Sequence, residues 1–86
     1  MLAGCGGQGD FVRLTPEEGL AEARRDLADE KWSRAASKFQ TLAGSLDGTP
    51  HYAEVKYGLG TAYAGMGDFP AAERELNVVI REYSDS

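Results

Sequence analysis

The sequence predicts an all-α fold of four antiparallel helices arranged as two helix-turn-helix units. From Thr15 onward Ala, Leu, Glu, Arg and Lys dominate and apolar residues recur at spacings of three and four, the period of a helix with one buried stripe. β-branched residues are sparse until Val78-Val79-Ile80, and no stretch alternates apolar and polar residues for long. The Asp47-Gly48 pair runs into Thr49-Pro50 and not into an apolar run, so it does not mark a hairpin.

The first helix opens at Thr15-Pro16-Glu17-Glu18. Thr15 can cap, Pro16 stands where no N–H is needed, and Glu18 completes a capping box. It is expected to run to about Asp29, with Leu20, Ala23, Leu27 and Ala28 on the buried stripe and Glu22, Arg25 and Asp26 facing away. The second helix covers roughly Lys31 to Ser45. Trp32, Ala35, Ala36, Phe39, Leu42 and Ala43 form its apolar face, and Gly44 and Gly48 bracket a frayed end. Thr49-Pro50 repeats the cap-then-proline start, which places a third helix from Pro50 to Met66 with Val55, Leu59, Ala62, Tyr63 and Met66 inward and Gly67 ending it. Asp68 caps a fourth helix, Pro70 falls in its first turn, and Ala72, Leu76, Val79, Ile80 and Tyr83 follow at helical spacing. Residues 1–14 hold four of the eleven glycines without periodicity, and read as a flexible tether ahead of a helical domain at 15–86.

Length and composition remove most function classes. The chain of 86 residues is one small domain, and Trp32, three Phe and four Tyr supply bulk for its core. Fourteen acids against nine bases give a net charge of −5, and the bases are scattered, so there is no surface to neutralise a phosphate backbone and nucleic acid is not an expected partner. One Cys cannot form a disulfide within the chain. The carboxylate pairs Glu17-Glu18 and Asp29-Glu30 read as residues at helix beginnings, where the helix dipole favours anions, and Glu73 and Glu75 point to different sides of a solvated helix. His51 reads as exposed. Gly58, Gly60, Gly65 and Gly67 follow no strand and precede no Lys-Ser/Thr, so they are packing and turn glycines and not a phosphate loop. No catalytic residue, metal site or cofactor is expected.

Residues 53–86 form a unit of about 34 residues, and a shift of about 37 brings residues 16–49 onto it. The shift places Trp32 over Phe69, Ala35 over Ala72, Phe39 over Leu76, Leu42 over Val79 and Ala23 over Gly60. With Leu59-Gly60, Tyr63, Gly67-Asp68-Phe69, Ala72 and Leu76 at their intervals, the second unit resembles a tetratricopeptide repeat (TPR). The resemblance covers about residues 16–86. It implies right-handed superhelical stacking, close approach of two helices at Gly60 and Ala72, and Tyr63 and Phe69 filling the space beside them. The first unit departs from the pattern with Asp26 for Tyr and Glu30-Lys31 for the Gly-Asp turn.

The family resemblance implies a concave face that takes a partner protein or peptide. Its groove positions fall on Glu17, Leu20, Arg24, Leu27 and Ala28 in the first unit and on Glu54, Tyr57, Thr61 and Ala64 in the second. Tyr57 and Arg24 are of the types that dominate binding energy. The cationic and Asn residues with which chaperone-binding members hold a C-terminal carboxylate are missing at Leu20, Tyr57 and Thr61, which disfavours that function. Leu2-Ala3-Gly4-Cys5 resembles a lipobox, which implies lipidation of Cys5, a mature chain starting there, and, from Gly6, an anchor in the outer membrane. Only Met1 and Leu2 stand where a charged start and an apolar stretch belong, so this reading expects a true start upstream.

The run from Tyr63 to Ser86 is similar to repeats of periplasmic TPR lipoproteins of the β-barrel assembly machinery and of Tol-Pal-associated proteins. Two expectations stand side by side: a lipid-anchored periplasmic scaffold or assembly factor, or a cytoplasmic TPR adaptor in which LAGC is coincidence. Two units are fewer than repeat arrays usually stack, so the chain is expected to be a piece of a longer array, and the 86 residues to be marginal or to self-associate through the uncapped last helix pair.

Overall fold

The structure, a computed structural model, describes residues 14–84, which hold four α-helices and no strand. They are α1 (Pro16–Ala28), α2 (Trp32–Leu46), α3 (Tyr52–Gly65) and α4 (Phe69–Ser84). Each helix packs on the next, and α1 also touches α3. Trp32 at the start of α2 meets Gly65 at the end of α3 while Phe39 meets Gly58, so the two run antiparallel. Cys5 and the first thirteen residues of the expected tether lie outside the described residues, while Leu14, its last residue, is half-buried and packs against the core.

The capping box of α1 forms as expected: Glu18 N–H donates to Thr15 Oγ1 at 3.2 Å, and Thr15 N–H donates to Glu18 Oε1 at 2.9 Å. At α4, Asp68 Oδ1 accepts from Ala71 N–H at 3.4 Å. The expected start of α3 at Pro50 is two residues early. Thr49 Oγ1 donates to the Leu46 carbonyl at 2.7 Å and Tyr52 N–H donates to the Thr49 carbonyl at 3.1 Å, so Thr49-Pro50 closes a turn after α2 before α3 begins. Gly44 does not end α2. It lies inside the helix, which Asp47 closes one residue before Gly48 turns to φ +83°.

The core joins Leu20 and Ala23 of α1, Ala35, Ala36, Phe39, Leu42 and Leu46 of α2, and Val55, Leu59 and Ala62 of α3. Phe39 is 1% exposed. A Cβ at Gly58 would stand 2.5 Å from its ring, and one at Gly60 would stand 2.6 Å from Leu76 and 3.3 Å from the Ala72 carbonyl oxygen. The close approach expected at Gly60 and Ala72 is therefore present, and Gly58 and Gly65 seat the two rings of α2.

Four expectations are corrected. Asp26 does not face away: it is 7% exposed, because its turn of α1 lies against α2. Phe69 fills no interior space; it is 65% exposed, since nothing among the described residues covers the outer face of α4. Ala28 and Met66, placed on buried stripes, lie exposed at the ends of their helices. Asp29 and Glu30 do not begin a helix. Asp29 caps the C-terminus of α1, and Glu30 lies in the turn after it.

That turn shows the repeat most directly. Lys31 N–H donates to the Asp26 carbonyl at 2.8 Å and Glu30 N–H to Leu27 at 3.0 Å; one unit on, Asp68 N–H donates to Tyr63 at 2.9 Å and Gly67 N–H to Ala64 at 3.0 Å. Both are Schellman turns, whose penultimate residue must be left-handed. Gly67 has φ +84° and Glu30 has φ +61°. For a residue with a side chain that conformation costs about 1–2 kcal/mol. Replacing Glu30→Gly is expected to stabilise the chain by roughly 1 kcal/mol, raising the melting midpoint by about 4–8 °C in a thermal scan.

Candidate partner-binding surface

α1 and α3 are the first helices of the two units and lie side by side, so residues from both share one face. The face is tied across by charge. Arg24 on α1 pairs with Glu54 on α3 at 2.5 Å, Nε donating to the same carboxylate oxygen. This hydrogen bond raises the Arg24 guanidinium above its ordinary value and lowers the Glu54 carboxyl. His51 Nδ1 stands 4.0 Å from the other Glu54 oxygen. Next to this pair Tyr57 is 57% exposed. Thr61 is half-buried and its hydroxyl donates to the Tyr57 carbonyl at 2.9 Å.

Of the sequence-derived groove positions, Arg24 and Glu54 meet across this face, and Tyr57 and Thr61 follow Glu54 on α3. Glu17 and Ala28 are exposed on α1, and Ala64 is half-buried on α3. Leu20 is not available: it is buried in the core, because α1 is covered by both α2 and α3. Leu27 is half-buried and packs against that core. The face thus presents Tyr57 as an open aromatic surface beside an arginine already held in position, an arrangement that can bind an extended peptide or a helix by stacking, burial and hydrogen bonds.

Sequence reasoning missed the charged seams that hold this face in place. Lys38 on α2 lies 2.7 Å from Asp26 Oδ2 and 3.1 Å from Glu22 Oε1 on α1. Lys56 on α3 lies 2.9 Å from Glu75 Oε1 on α4, with its ammonium 5.4 Å from the centre of the Tyr52 ring. Burial alone would lower both ammonium groups, yet the facing carboxylates outweigh it and raise them. Gln40 also donates to the Tyr63 hydroxyl, joining α2 to α3. Opposite charges on neighbouring helices were the available signal, but pairing them requires the register of the helices.

Among the described residues no group of three or more His, Cys, Asp or Glu could hold a metal ion, and no helix is long and apolar enough to cross a membrane. A family model described as tetratricopeptide repeat matches residues 20–86. Comparison with curated proteins and with solved structures returns no match.

Removing Lys38 leaves Asp26 buried without its cation. The Lys38→Met variant is expected to lose about 3 kcal/mol in denaturant unfolding, and Lys38→Met with Asp26→Leu to recover most of it. Because folding raises the Lys38 ammonium, its contribution is fully present below the ordinary lysine value of 10.5 and lost as pH rises through the raised one. The native chain should therefore lose stability above that pH more steeply than the double variant.

Proposed function

Because the chain belongs to the tetratricopeptide repeat family, we propose that it is a non-enzymatic protein–protein interaction module that takes a peptide or helix of a partner protein on the α1/α3 face. The observation that carries this reading is the exposed ring of Tyr57 beside the Arg24–Glu54 pair. An aromatic ring with most of its surface open gains roughly 25 cal/mol for each Å² a partner covers, and an arginine held by a carboxylate loses little rotamer freedom on contact. Leu20 contributes from beneath, by fixing α1, and Glu17, Leu27 and Thr61 shape the margins.

The proposal extends to location. Leu2-Ala3-Gly4-Cys5 supports a lipid anchor at Cys5, and with it a periplasmic scaffold or assembly factor at the outer membrane. Acyl chains contribute about 0.8 kcal/mol for each buried methylene, so more than one chain on Cys5 holds an acidic domain firmly at a lipid surface. A cytoplasmic adaptor with a free thiol is the competing outcome.

Two measurements test these readings. A photo-crosslinking residue at position 57 should trap a defined partner, and Tyr57→Ala should weaken its binding at least tenfold in a titration, the effect of losing a contact worth about 2 kcal/mol. Unchanged affinity would move the binding face elsewhere. Expressed from its full reading frame, the chain should fractionate with membranes and carry added mass at Cys5, and Cys5→Ser should release it. Unmodified, unanchored native protein would favour the adaptor.

A further inference from the structure

The outer side of α4 is an open apolar trough of about 580 Å³, lined among others by Ala64, Phe69, Ala72, Leu76 and Ile80. Phe69 and Ile80 are 65% and 60% exposed. The molecule contains a filled copy of the same trough. Trp32 and Phe39, two turns apart on α2, seat against Gly65 and Gly58 of α3, where no Cβ interferes. One unit on, the places of Trp32 and Phe39 belong to the smaller Phe69 and Leu76; one unit back, the places of Gly65 and Gly58 belong to Ala28 and Ala21, both exposed on the outer face of α1, and the smaller side chains of α4 leave room for the methyl groups that the glycines lack.

We propose that this trough receives α1 of a second copy of the chain, so that copies join head to tail in the register that α2 and α3 already use within one molecule. In that register Phe69 lies over Ala28 and Leu76 over Ala21. The charges agree with it. Near its N-terminus the outer face of α4 carries exposed Glu73, which comes opposite the Arg24-Arg25 step, where Arg25 is exposed. Near its C-terminus exposed Arg81 comes opposite exposed Glu17. Antiparallel helices thus meet with opposite charges at both ends of an apolar strip, an arrangement that sets partner and register. The two faces are different surfaces of the molecule, so the contact is heterologous and each copy keeps one face free for the next. The contact borders the α1/α3 face that carries the proposed binding function, sharing Glu17, Arg24 and Ala28 at its margin and Ala64 in the trough, but it leaves out Tyr57. Tyr57→Ala therefore tests the binding reading, and the Ala21 and Ile80 variants test this one.

Sedimentation equilibrium of the purified chain with its thiol reduced is the test. The weight-average mass should climb with concentration past twice the 9.2 kDa of one chain by about 1 mM. Ala21→Arg on α1 and Ile80→Glu on α4 replace exposed residues, and each should yield monomers of unchanged helical content. Their equimolar mixture should form dimers and nothing larger, since it leaves one intact α1 face and one intact α4 face. Independently, Arg25→Glu should weaken association about tenfold, and adding Glu73→Arg to the same chain should restore it. A monomer at every concentration overturns the proposal. So does a mixture that stays monomeric, or an Ala21→Arg variant that still associates while Ile80→Glu does not, which would mean that α4 pairs with another α4.

Discussion

The rest of the structure depends on the seating of two aromatic rings of α2 against glycines of α3. Phe39 and Trp32 press onto Gly58 and Gly65 so closely that a methyl group at either glycine would overlap the ring. This contact sets the distance and the angle between the two units, because rings this large leave the helices only one close register. From it follows the position of α3, the one helix that packs against all three others. Its sequence reflects that position: Val55, Gly58, Leu59, Gly60 and Ala62 are buried around much of its circumference, so it lacks the single apolar stripe of a surface helix.

Charge fixes what packing leaves free. Lys38 ties α2 to α1 and Lys56 ties α3 to α4, each between half-buried surfaces, while Arg24 and Glu54 join the two first helices across the open face. These pairs contribute modestly as stabilisers, yet removing one partner of the Asp26 pair leaves a buried charge, so they discriminate against slipped registers. The same seam positions the candidate binding face: with Arg24 held by Glu54, Tyr57 stands beside a fixed cation in place of a mobile one.

Much of this was legible in the chain. Helix number, type and order followed from periodicity, and the Thr15-Pro16-Glu17-Glu18 start was readable to the residue because a capping box is a local device. Thr49-Pro50 has the same local chemistry but closes a turn, since Thr49 bonds back to Leu46 before the chain enters α3. Leu20 and Tyr57 occupy the same place in the two units and read alike as groove residues. One is buried and the other open, because the core closes over the Leu20 side of α1 while nothing among the described residues covers the Tyr57 side of α3. Asp26 read as a solvated carboxylate for want of Lys38, its cation on the next helix.

By itself, then, the sequence determined four helices, their turns and a two-unit repeat, because caps, proline positions and three-and-four spacing act within a few residues of one another. The tertiary structure alone decided which members of equivalent pairs are buried: Trp32 is covered by α3 while Phe69 is open, and Leu20 lies in the core while Tyr57 is exposed. The reason is physical. Burial and charge pairing depend on which helix arrives at a face, and that is a property of contacts between residues far apart in the chain.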